Sequence, residues 1–158
     1  MAIMRYIGEK EGINMLKLPM TFEVEARSAG GIATPWTAQS NKFPPIPSSI
    51  PPEFMGPGTG YSPEDLFGIA VLNCLIATFK VYCEKAKVTF SEIKGKALVK
   101  VNKEPSLVTL HISHIEIFFD VMGSSDPKKA RELLDGAIKD CAISNSIKSC
   151  KLFHINVS

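Results

Sequence analysis

The feature that most constrains this chain is a helix start. Ser62-Pro63-Glu64-Asp65 supplies a capping side chain, a proline suited to the first helical position and an acidic residue three places after the serine. From there to about residue 86 no further proline interrupts, and the centre, Phe67 to Phe79, is apolar on all sides. A helix with no polar face has to be covered, so the pattern predicts a buried core helix over 63–86. Cys74 stands at its centre. The apolar run is broken by Gly68, Asn73 and Thr78, and it is shorter than the roughly 20 residues that a membrane span requires.

The flanking segments read as strands, a loop and a second helix. Phe22, Val24 and Ala26 alternate with Glu23, Glu25 and Arg27, the two-residue period of a half-buried strand, so residues 1–27 are expected to be strands. Prolines at 35, 44, 45, 47, 51, 52 and 57 then predict a long irregular connection, with a short edge strand near Trp36. After the core helix, Ile93, Ala97, Val99 and Val101 alternate with lysines, and a turn is expected over 102–106. Val108, Leu110 and Ile112 share one phase while Ile115, Ile117, Phe119 and Val121 share the other. A β-bulge or bend is therefore expected near Ser113-His114.

Ser125 or Asp126 caps a second helix opened by Pro127. On it Ala130, Leu133, Leu134, Ala137, Ile138 and Cys141 follow helical spacing, which puts Cys141 on the core-facing stripe. A short helical piece continues toward Ile147, and Phe153, Ile155 and Val157 mark a last strand. This order gives the α+β class, with helices against antiparallel sheet.

Charge and motifs narrow the chemistry. With 18 basic and 16 acidic residues there is no electrostatic footprint for nucleic acid, and no block of like charge to hold a membrane surface. The first residues lack an apolar signal region, so a cytoplasmic setting with reduced thiols is expected. Phosphate-loop, serine-elbow and His-Glu-x-x-His patterns are absent, and Gly56-x-Gly58-x-Gly60 has the wrong spacing for a dinucleotide site. His111 and His114 lack an evident third metal ligand, so no metal site is expected. The cysteines, at 74, 83, 141 and 150, form no Cys-x-x-Cys pair, which excludes a thioredoxin motif and a zinc ribbon. If the two core helices pack together, the sulfurs of Cys74 and Cys141 could meet as a redox pair. Free cysteines also simply pack as small hydrophobes, and the residues alone leave both readings open.

Two stretches carry a resemblance. Gly60-Tyr61-Ser62-Pro63-Glu64-Asp65-Leu66-Phe67, with Cys74 seven residues on, and Cys141-Ala142-Ile143-Ser144-Asn145 together resemble the OsmC/Ohr family. The likeness extends over about residues 60–158. It implies one OsmC-like domain over 1–158, made of N-terminal strands (1–27), a Pro/Gly-rich loop (28–61) and a helix-strand-helix-strand core (62–158). Antiparallel sheets would pack on two central helices in an intertwined homodimer. The implied activity is a thiol-dependent peroxidase that reduces organic hydroperoxides to alcohols. Cys74 would be the peroxidatic thiol, Cys141 the resolving thiol and Glu64 the acidic partner. An arginine from the N-terminal strands would complete the site, and Arg27 suits this better than Arg5 or Arg131. The implied reductant is an external dithiol, lipoyl or thioredoxin-like, with no metal or organic cofactor. Two features depart from the family: Ala142 stands where a proline is usual, and residues 28–59 do not match the peroxidase branches. The alternative is a non-enzymatic OsmC-like dimer, serving stress or small-ligand binding, with packed cysteines.

The implied chemistry sets physical demands. A thiolate is the nucleophile, and burial in an apolar helix opposes its formation. A guanidinium such as that of Arg27 would reverse this, and a carboxylate such as that of Glu64 would hold the guanidinium. Ten residues of helix separate Glu64 from Cys74 by about 15 Å. Either a partner subunit supplies the carboxylate or the first turn folds away. Phe67, Leu72, Phe79, Trp36, Phe43 and Phe54 would wall an alkyl peroxide, although ordinary core accounts better for the helix phenylalanines.

Overall fold

The predicted capping box forms. The Asp65 N–H donates to Ser62 Oγ and the Ser62 N–H donates to Asp65 Oδ2, each at 3.0 Å. In the computed structural model, which describes residues 18–103 and 109–158, this box opens helix α1, Pro63–Ala86. The chain forms two compact units, one ending at Leu66 and the other spanning Phe67–Ser158.

The first unit holds a three-stranded antiparallel sheet of order β1-β2-β3, with β1 at Val24–Arg27, β2 at Trp36–Ser40 and β3 at Ile46–Ser48. Two expectations are corrected here. Trp36 opens the central strand rather than an edge strand, because β1 and β3 pair on either side of β2. The prolines allow this: Pro35 precedes β2, and Pro47 lies on the outer strand, where a missing N–H is tolerated. The alternation at residues 22–27 does produce a strand, but its apolar phase is not buried. Phe22 is 84% exposed and Val24 76%. Most of residues 1–27, Arg5 included, lies outside the described residues.

The second unit pairs β4 (Glu92–Lys103) antiparallel to β5 (Leu110–Met122), with β6 (Cys150–Val157) on the other side of β5. The expected bulge is present. Lys100 pairs with His114 and Val101 with Ile112, so Ser113 is the extra residue and its hydroxyl donates to the Lys100 carbonyl at 3.2 Å. The turn expected over 102–106 and Val108 fall largely outside the described residues. The purely antiparallel expectation is corrected by β6, which runs parallel to β5. The reason is the crossover between them, formed by α2 (Pro127–Asp140) and α3 (Ala142–Asn145), which returns the chain to the end where β5 began. Asp126, not Ser125, caps α2 by accepting from the Lys129 N–H.

One core joins the elements of the second unit. Val71, Leu75, Phe79 and Cys83, recurring every fourth residue of α1, meet Ile115, Ile117, Phe119 and Val121 of β5 and Ala130, Leu133, Leu134 and Ala137 of α2. Gly95 lets α1 approach the sheet, since a Cβ there would lie 2.9 Å from the Phe119 ring and 3.2 Å from Leu72. The expectation that α1 is buried all round is corrected. This stripe and Gly68 are buried and Phe67, Leu72, Cys74, Ile76 and Tyr82 partly so, while Ile69 and Val81 are 39% and 49% exposed. By length and apolar character α1 would suit a membrane span, yet its buried stripe is the centre of the packed core.

Gly95→Val should lower the free energy of unfolding by about 1–3 kcal/mol through overpacking. Gly30→Ala, with nothing within 4 Å of the added Cβ, should stay within about 0.5 kcal/mol of the parent. Urea unfolding of the two variants checks the contrast.

Candidate functional site

Cys74 and Cys141, 67 positions apart in sequence, come together. The Cys141 thiol donates to Cys74 Sγ at 2.8 Å, and both residues are free cysteines. Cys74 sits in the middle of α1, where the Thr78 hydroxyl donates to its carbonyl at 2.9 Å. Cys74 is half-buried, while Cys141 is fully buried.

The backbone at Cys141 differs from expectation. Helix α2 ends at Asp140, and Cys141 leaves it with extended geometry, φ −65° and ψ 113°. Cys141 is thus a junction rather than a position on the helical stripe. It closes α2 and its sulfur caps α3, accepting the Ser144 N–H at 3.3 Å. The physical reason is the break itself: turning the chain between two helices aims the side chain at α1, as the helical spacing had suggested by another route. On the α2 side of the junction, Tyr82 Oη donates to Asp140 Oδ2 and so ties α1 to the end of α2. On the α3 side, Lys151 Nζ donates to the carbonyls of Ser144 at 3.0 Å and Ile147 at 2.8 Å. Sequence reasoning missed Tyr82, Asp140, Ser144 and Lys151. For Lys151 a signal existed, since it shares the inward phase of Phe153, Ile155 and Val157.

The electrostatics distinguish the two thiols. Burial, then the hydrogen bond to Cys74, push Cys141 up to about 11, against the opposing pull of the Ser144 N–H. Cys141 is therefore a protonated donor at neutral pH, and Cys74 Sγ is the acceptor. Cys83, 2% exposed in the core, is also pushed up to about 11, by burial alone. Cys150 is exposed.

The other two predicted residues belong to the first unit. Arg27 ends β1, is exposed, and makes no ion pair among the described residues. Glu64 lies in the first turn of α1, and its Oε2 is shielded from solvent without a hydrogen-bond partner among the described residues. Because α1 is continuous, Glu64 and Cys74 stay about 15 Å apart along it, and the first turn does not fold away. Arg131 is occupied by Asp135 and the Ile155 carbonyl, each at 3.3 Å. His111 and His114 are both exposed on β5, and among the described residues no three His, Cys, Asp or Glu side chains gather as a metal site.

Both raised thiols ionise near an ordinary 9.0 once the chain unfolds and near 11 while it is folded. The unfolded state releases its protons first, so their stabilisation is full below pH 9 and falls as pH rises toward 11. Cys83→Ala should remove one such dependence, on the order of 2 kcal/mol. Urea-unfolding free energies measured from pH 8.5 to 11 should fall less steeply for the variant; parallel curves would contradict the assignment.

Comparison with known proteins identifies the family and the fold. The sequence profile of a family described as OsmC-like protein matches residues 56–155. A search of curated proteins finds no match. Among solved structures, an OsmC-like protein of unknown function from Vibrio cholerae superimposes with a TM-score of 0.72 at 17% identity, over 86% of this chain and 99% of that one. An organic hydroperoxide resistance protein OsmC from Legionella pneumophila gives 0.67 at 18% identity, over 88% and 98%. The organic hydroperoxide resistance protein OhrB of Bacillus subtilis gives 0.63 at 20% identity, over 85% and 97%. At these identities the likeness is one of fold.

Proposed function

The chain belongs to the OsmC-like family, and from that premise we propose that it is a thiol-dependent peroxidase acting on organic hydroperoxides. The observation that carries the reading is the 2.8 Å approach of the Cys74 and Cys141 sulfurs. Their unequal exposure supports the division of labour, because a peroxide can reach half-buried Cys74 but not buried Cys141. The Cys74 thiolate attacks the terminal peroxide oxygen and the O–O bond breaks. The alkoxide leaves as the alcohol after taking a proton, and Cys74 becomes a sulfenic acid. Cys141 then attacks that sulfur, a disulfide forms and water departs. An external dithiol, lipoyl or thioredoxin-like, returns both thiols by exchange.

Arg27 and Glu64 fit this cycle as activating cation and its carboxylate. Arg27 lacks an ion pair among the described residues, and the shielded Glu64 oxygen lacks a donor there. In this reading the site is completed in a homodimer. The exposed apolar residues Phe22, Val24, Ile69 and Val81 favour a second copy as their cover.

The test is steady-state consumption of cumene hydroperoxide with dithiothreitol. Cys74→Ser should abolish turnover, and Arg27→Met should lower kcat/KM by about 10². Hydrogen peroxide should be the poorer substrate. Undiminished turnover in Cys74→Ser would refute the assignment. Wild-type protein with no turnover would favour the other reading, an OsmC-like dimer whose cysteines only pack.

A further inference from the structure

Lys151 is out of place by composition. It lies on β6 opposite Ile115 and in phase with Phe153, Ile155 and Val157, the side chains that pack against the core. An amine on an inward face is costly unless its donors are met. Here they are met by two carbonyls, those of Ser144 and Ile147, at 3.0 and 2.8 Å. Both belong to the end of α3 and the turn after it, and the Ser144 carbonyl also accepts the Ile147 N–H at 3.3 Å.

Helix α3 has only four residues, Ala142–Asn145. A single turn has no stability of its own in water, so its position depends on what holds its two ends. The Asn145 side-chain amide donates to the Lys139 carbonyl at 2.8 Å and ties the turn to α2, and two further groups reach its ends from the sheet and from the junction. Lys151 Nζ grips the carbonyl end, and Cys141 Sγ caps the amide end by accepting the Ser144 N–H at 3.3 Å. Ser144 takes part in both, since its carbonyl meets the lysine and its amide meets the sulfur. The same sulfur donates to Cys74 Sγ. An unbroken path of contacts therefore runs from a lysine on the sheet, through one turn, to the reactive pair.

We propose that Lys151 is a positioning residue for the resolving thiol, clamping α3 to the sheet so that Cys141 is held against Cys74. This rests on the peroxidase reading above. The step it serves is the second one: the Cys141 sulfur bonds to the Cys74 sulfenic sulfur, the S–OH bond breaks, and the hydroxide leaves with the Cys141 proton as water. Lys151 touches neither sulfur, so the first step, peroxide attack by Cys74, does not depend on it. Without the clamp the sulfenic acid outlives its partner's approach and meets a second peroxide, which carries it to sulfinic acid.

The experiment compares wild type, Lys151→Met and Lys151→Arg after reduction and mixing with excess cumene hydroperoxide. Quenching at intervals with dimedone, followed by mass analysis, reports sulfenic acid, disulfide and sulfinic acid on Cys74. In Lys151→Met, loss of the reduced Cys74 thiol should proceed at the wild-type rate. Disulfide formation should slow by about tenfold or more, the scale expected for a misplaced reacting group, and sulfinic acid should accumulate. Lys151→Arg, which keeps the donors, should restore disulfide formation to within about twofold of wild type. Disulfide formation at the wild-type rate in folded Lys151→Met would overturn the proposal, as would equal slowing of both steps. If Lys151→Met does not fold, Lys151→Leu, which also lacks a donor, takes its place under the same criteria. Wild type that forms no disulfide would instead overturn the peroxidase reading itself.

Discussion

A single contact between two sulfurs, donated by Cys141 and accepted by Cys74 at 2.8 Å, gives the rest of the structure its purpose. A thiol pair at this distance is beyond the roughly 2.05 Å of a disulfide and needs only a small approach to form one. Holding it requires two elements from opposite ends of the second unit to meet at one point. The packed stripe of α1 fixes Cys74, and the junction of α2 and α3 fixes Cys141. The close approach of α1 to the sheet, which Gly95 permits, makes that meeting possible.

The contact is asymmetric, and the asymmetry matters chemically. Burial keeps Cys141 protonated, and in the resting pair its S–H donates to Cys74 Sγ. Cys74, the more exposed sulfur, is the one that solvent-borne reagents meet first. The same burial that shields Cys141 from solvent leaves the Cys74 sulfur in contact with it. Cys83, silenced by burial alone and without such a neighbour, serves the core.

Much of this was legible in the residues. Ser62 and Asp65 announced a helix start because capping is local chemistry, and α1 runs over the expected span. The phase flip at Ser113 announced a bulge because side chains alternate strictly along a strand. The meeting of Cys74 and Cys141 was within reach, although periodicity assigned Cys141 to a helical stripe when it in fact ends one helix and caps the next. What was not legible depends on partners distant in sequence. The parallel direction of β6 is set by the length of the crossover, not by the strand itself. The exposure of Phe22 and Val24 cannot be read from their alternation, which says only that one face differs from the other. Lys151 was overlooked because a lysine on a strand is ordinarily a solvated side chain, and only the fold brings the carbonyls of Ser144 and Ile147 to it.

The most direct measurement is a peptide map of the reduced chain after treatment with one equivalent of cumene hydroperoxide under non-reducing conditions. A cross-linked peptide pair joining Cys74 to Cys141, with Cys83 and Cys150 still alkylatable, is the predicted result. Four alkylatable cysteines, or a bridge that involves Cys83 or Cys150 instead, would contradict the claim that these two sulfurs form a working pair.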